Sequence, residues 1–292
     1  METLLEGRAI TQNGQHSPAD SVPPRPAART AAYVLSGAIA ALMIAASLAG
    51  LLVDGLYREG AWAREAFRGG DVITLTIAAP LLIISLIMSI RGSHRAEPVW
   101  IGLIVYALYN YAYAAFGAAF NDVFLLHIAL FSMSVFALAC AIPNLDLAAI
   151  ARTFRDAIGA RTIGVFLVIV GAGQGGLWIF LVVRNAITGE VLHEIPVWGQ
   201  HLVFALDLAL LVPSLVLAGV LLARRRPFGF LLGTAMAVFG AVYQLNLMVA
   251  SVFQDRADVA GVQAFAPESL LLTATFVAAS GLLLLPRRSV TR

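Results

Sequence analysis

Lysine is absent from this chain of 292 residues, and all 19 of its basic residues are arginine. Cysteine is nearly absent too: the single Cys140 excludes an intramolecular disulfide and a dithiol redox pair. Charge of either sign is scarce, at 12% of residues against about 25% in an ordinary soluble chain. The net charge of +2 comes without a concentrated basic tract, so no nucleic-acid partner is expected. Residues 1–30 lack an early apolar run, which argues against a cleaved signal peptide. They hold Pro18, Pro23, Pro24 and Pro26 and read as a disordered cytoplasmic tail. No P-loop or nucleophile elbow occurs, and no cofactor is expected.

What the chain does have is apolar length. It is 60% hydrophobic with a mean hydropathy of +0.86. The apolar residues fall into eight runs, at roughly 31–53, 72–90, 98–119, 122–142, 162–184, 198–223, 227–252 and 267–285. In hydrocarbon every backbone polar group must be satisfied within its own segment, so each run is expected to be an α-helix. The expected fold is all-α, a polytopic transmembrane helix bundle whose membrane domain covers 31–286, followed by a basic cytoplasmic tail at 287–292. Numbering the spans 1 to 8, the arginines sort strongly between the two sides. Arg8, Arg25 and Arg29, then Arg91 and Arg95, then Arg152, Arg155 and Arg161, then Arg224 to Arg226, and finally Arg287, Arg288 and Arg292 share one side. Only Arg58, Arg64, Arg68, Arg184 and Arg256 fall on the other. The positive-inside rule then puts both termini in the cytoplasm, here of a bacterial inner membrane, with the lipid bilayer as the one evident partner. Two connections, 54–70 and 144–161, carry amphipathic patterns and read as short surface-lying helices.

Two prolines outside the tail interrupt spans. Pro80 in span 2 and Pro213 in span 6 each precede an arginine (Arg91, Arg224) by 11 residues, and an acidic residue lies ahead of each (Asp71, Asp207). An offset near 133 residues suggests two four-helix halves, 31–142 and 162–286, in parallel orientation.

Polar residues inside the runs are the candidates for function, because burying them in hydrocarbon is costly. Tyr106, Asn110 and Tyr113 share a face of span 3 and could line a polar cavity, although interhelical hydrogen bonds and an aromatic belt explain tyrosines equally well. Asp122 and His127 open span 4, and His193, Glu194 and His201 flank the start of span 6. Asp207 lies about ten residues into span 6, where a carboxylate must pair, face water or take up a proton. All of these approach the side opposite the arginines. His127, His193 and His201 are the candidate metal ligands, without any recognised ligand spacing. The string Gly171-Ala172-Gly173-Gln174-Gly175-Gly176 matches a dinucleotide fingerprint in letters only. With no strand ahead of it, it reads as a close helix-packing face.

The stretch IRGSHRAEPVWIGLIVYALYNYAYAAFGAAFNDVFLLHIAL, with LDLALLVPSLVLAGVLLARRRPFG, resembles a group of uncharacterised bacterial polytopic membrane proteins of about eight spans. Arg91-Gly92, the run Tyr109-Asn110-Tyr111, and Asp207 with Pro213 carry the resemblance, over spans 2–4 and 6–7. It implies the class and no activity. Three functions fit the residues. The first is transport or permeation of a small solute or ion through a polar cavity. The second is a membrane-embedded enzyme with a His/carboxylate site, and the third is a structural or assembly partner without a small-molecule site. Transport is preferred over an enzyme; the ligand and the oligomeric state are left open.

Overall fold

The computed structural model describes residues 26–157, 159–189 and 197–285. The expected tail up to residue 25, Ile158, His193, Glu194 and the terminal segment 287–292 lie outside the described residues. Within them every regular element is helical. Eight helices are long and apolar enough to cross a membrane: α1 (Ala27–Leu52), α2 (Ala61–Ile90), α3 (Ala96–Gly117), α4 (Phe124–Asn144), α6 (Ala160–Thr188), α7 (Gly199–Ala223), α8 (Pro227–Arg256) and α9 (Pro267–Leu284). A short helix, α5 (Leu147–Phe154), sits between α4 and α6. The protein is therefore a polytopic helical membrane protein.

Two helices form the centre. In α3, 67% of the apolar window is buried within the protein, and in α8, 50%; α4, α7 and α9 each bury 28%. The outer helices turn large apolar side chains outward, such as Ile84 and Ile87 on α2 and Ile169 and Phe180 on α6. With lipid as the solvent, these residues need no protein partner. α3 packs on α8, while α2 and α4 flank α3 and α7 and α9 flank α8.

Helix α2 starts at Ala61, eleven residues before the expected span. The segment read as a surface helix is the extension of span 2 beyond the apolar run. It stays helical through Gly69-Gly70 because that face lies against the backbone of α8. A Cβ on Gly69 would sit 2.5 Å from the Cα of Ala250. Gln254 on α8 closes the contact by donating from Nε2 to the carbonyl of Trp62 at 2.7 Å. The second expected surface helix also differs. Ile150 and Phe154 of α5 are buried, in a helix that packs on α8. The guanidinium of Arg95 lies 5.7 Å over the Phe154 ring. The apolar stripe faces protein, which a periodicity alone does not distinguish from one facing lipid. Asp146 caps α5, its carboxylate accepting from the Ala149 backbone N–H at 2.8 Å.

Both span-interrupting prolines follow a π turn, Thr74–Ala78 before Pro80 and Asp207–Leu211 before Pro213. A proline has no N–H to donate, and its ring crowds the carbonyl four residues earlier, here those of Thr76 and Ala209. Widening the preceding turn absorbs that clash without breaking the helix. Each π turn begins six residues before its proline, with a polar residue: Thr74 in one helix and Asp207 in the other.

Candidate functional site

A cavity of about 330 Å³ lies among α2, α3, α4, α6, α7, α8 and α9. It reaches from Trp62, Gly117 and Gly199, near the helix ends remote from the arginine-rich loops, to Leu215 and Phe276 deeper in the bundle. Its size falls at the low end of the roughly 300–1,000 Å³ typical of small-molecule pockets. Carboxylates from two different helices line it, Asp207 and Asp71.

Asp207 opens the π turn of α7 and is 5% exposed. One carboxylate oxygen accepts from the hydroxyl of Tyr109 on α3. The other accepts from the indole N–H of Trp178 at 2.6 Å and the amide of Gln174 at 3.3 Å, both on α6. Gln174 and Trp178 are one turn apart and share a face with Gly171 and Gly175. A Cβ on Gly175 would lie 2.9 Å from Val212 Cγ1, and one on Gly171 2.9 Å from Leu215 Cβ. The small residues thus bring α6 close enough to α7 for two long side chains to reach the carboxylate. Around it, the Tyr109 ring meets Tyr113 and Tyr243 edge-on at 5.3 and 5.2 Å, and Tyr243 stacks on Phe239 at 5.5 Å.

Asp71 on α2 is 8% exposed and accepts from the Tyr57 hydroxyl at 2.6 Å. Burial, reinforced by the neighbouring carboxylate, pushes the Tyr57 hydroxyl far above its ordinary pKa, so it remains a donor. Gly50 on α1 makes room for the pair: a Cβ there would overlap the Asp71 carboxylate and lie 2.5 Å from the Tyr57 oxygen. Tyr111 and His127 line the cavity alongside, their rings 5.8 Å apart. The His127 Nδ1 is buried without a hydrogen-bond partner among the described residues. A chain of neutral groups joins α2, α3 and α8. Thr74 and the Tyr106 hydroxyl are 2.9 Å apart, and Asn246 on α8 donates to Tyr106 at 2.8 Å and to the Asn110 oxygen at 3.3 Å.

Of the residues singled out in the sequence, Asn110, Tyr113, His127 and Asp207 line this one cavity. Tyr106 lies behind it, fully buried in the neutral chain. Asp122 is exposed and pairs with Arg58 at 3.3 Å, outside the lining. His201 is exposed and also outside it; six residues from Asp207 at 100° each turn the two side chains about 120° apart on the helix. No group of three or more His, Cys, Asp or Glu side chains gathers for a metal among the described residues. Sequence reasoning missed Tyr109, Gln174 and Trp178 as partners of Asp207, and took Asp71 only as a repeat marker. The face formed by Gly171, Gln174, Gly175 and Trp178, with spacings of three, one and three, was the available signal for two of them.

Among the described residues the lining holds no arginine, serine, threonine or cysteine, so neither carboxylate meets a cation there and no hydroxyl or thiol nucleophile of that kind faces the cavity. Arg68, one turn before Asp71, pairs with Glu65 at 3.7 Å. The arrangement can bind and orient a small molecule and can hold charge in a dry setting. Comparison with known protein families, with curated proteins and with solved structures finds no match.

Proposed function

We propose that the protein moves a small solute across the membrane through the cavity bounded by Asp71 and Asp207. The observation that carries this reading is a cavity of about 330 Å³ inside a membrane domain, lined by buried carboxylates from two proline-interrupted helices. Interrupted helices at a mid-membrane polar site recur in secondary transporters, where they supply binding groups and a place to bend. The proposal includes two parallel halves, 31–142 and 162–286. Thr74 and Asp207 are 133 residues apart, and so are Pro80 and Pro213, so the π turns superpose in register along the sequence. α3 and α8 would be the equivalent central helices. The arginine distribution supports cytoplasmic termini and a cavity facing the opposite side. The bacterial inner membrane belongs to the same proposal.

Swelling of proteoliposomes, followed by light scattering, tests the reading. Gradients of glycerol, urea and choline chloride should show at least one solute entering faster than into protein-free vesicles. Ala114→Phe places a ring in the lining and should remove that excess while the protein still elutes as a folded species. Equal rates with and without protein for all three solutes would count against transport.

A further inference from the structure

We propose that the solute is a small organic cation, an ammonium group on a compact apolar body, held with its charge at the Asp207 carboxylate among aromatic rings. The assignment rests on the transport reading above and extends it to a substrate class.

The first argument is charge. Among the described residues Asp207 is bonded only to neutral donors: a phenol, an indole and a carboxamide. An ionised carboxylate taken out of water without a counter-charge is costly, and hydrogen bonds from neutral groups offset only part of that. A ligand bearing one positive charge completes the site. An anionic ligand would add negative charge to a lining that already holds the Asp71 and Asp207 carboxyl groups and no arginine among the described residues, in a chain without lysine.

The second argument is the wall. Trp178, Tyr113, Tyr243 and Phe239 line the cavity around Asp207. Aromatic faces attract an ammonium through their quadrupole, most strongly where water is excluded, and their rings accept alkyl groups as well. Metal cations such as Ca²⁺ or Mg²⁺ require about six oxygen ligands in a tight shell. The Asp207 environment offers rings instead, and no cluster of three carboxylates or imidazoles forms among the described residues.

The third argument is unused hydrogen-bonding capacity. His127 is 2% exposed and lines the cavity, yet its Nδ1 has no partner among the described residues. Buried polar atoms left open in this way are met by a ligand or by water. The His127 Nδ1 can accept from an N–H or O–H carried by the apolar body of the cation.

Binding to the full chain in nanodiscs separates charge from shape. Radiolabelled choline should bind saturably and be displaced by benzylammonium. The neutral counterparts, 3,3-dimethyl-1-butanol and benzyl alcohol, should compete at least about thirtyfold more weakly, as expected when one partner of a buried charge pair is lost. Asp207→Asn should weaken choline binding by a similar factor. The comparison of cation with neutral isostere needs no variant, so it holds even if Asp207→Asn does not fold. Neutral compounds competing as well as the cations, or no saturable choline binding, would overturn the assignment. Choline binding without uptake into vesicles would overturn transport and keep the cation site. Protein-dependent entry of glycerol or urea without cation preference would do the reverse.

Discussion

Replacing Asp207 by asparagine and by leucine separates the charge of this side chain from its hydrogen bonds. Asp207→Leu leaves three donors facing an apolar group. Tyr109 retains the Tyr113 hydroxyl, 3.4 Å away, as an acceptor. Trp178 and Gln174 are stranded, at about 1–3 kcal/mol for each unsatisfied donor, so the expected loss is about 2–6 kcal/mol. Asp207→Asn keeps an oxygen for Trp178 and turns its amide toward Tyr109, whose hydroxyl can accept as well as donate. Charge-assisted bonds become neutral ones, which lowers their worth by roughly 1 kcal/mol, while the cost of burying an uncompensated charge disappears. The asparagine variant is expected within about 1 kcal/mol of the parent. Reversible unfolding in mixed micelles, following Trp fluorescence across a denaturing-detergent titration, measures both variants. An asparagine variant as unstable as the leucine variant would refute this reasoning, because the negative charge would then be part of the framework.

Other outcomes follow from individual contacts. Gly50→Ala pushes a methyl group into the Asp71–Tyr57 pair and should lower stability by about 1–3 kcal/mol, read by the same titration; an unchanged midpoint would contradict the packing of α1 on α2. Glu97 is fully buried with Arg29 at 2.7 Å and His94 at 3.0 Å, so Glu97→Leu should destabilise by about 1–3 kcal/mol, less than a fully buried pair because Arg29 is partly exposed. Asp146→Ala removes the α5 cap and should expose α5 amides to hydrogen exchange faster, at about 1 kcal/mol. The Ala149 N–H holds the Asp146 carboxyl below its ordinary pKa. Its contribution is therefore present above the unfolded carboxylate pKa and fades as pH falls through the lower folded value; the protection factors of α5 amides, exchange corrected for the intrinsic rate at each pH, should fall in acid in the parent and not in Asp146→Ala.

The eight spans were legible because lipid imposes long apolar helices and leaves little room for alternatives. Their ends were less so. Helix α2 runs from Ala61, beyond its apolar stretch, because Gly69 and Ala250 meet across 181 residues of sequence, and no local pattern records that contact. Asp207 stood out as a carboxylate in an apolar run. Its partners did not, since Tyr109 and Trp178 are ordinary aromatic residues of spans 3 and 5 until the helices meet. The arginine pattern bears on the orientation of the bundle and carries nothing about which face of each helix looks inward. Hence His201, close to Asp207 in sequence, is exposed, while His127, far from it, lines the same cavity.

Uptake of radiolabelled choline into proteoliposomes, compared between the parent and Asp207→Asn at equal amounts of folded protein, bears most directly on the Asp207 cavity as a solute path. Saturable uptake by the parent and its loss in the folded variant is the expected result. Equal uptake by both proteins, or uptake by the parent no faster than by empty vesicles, would contradict it.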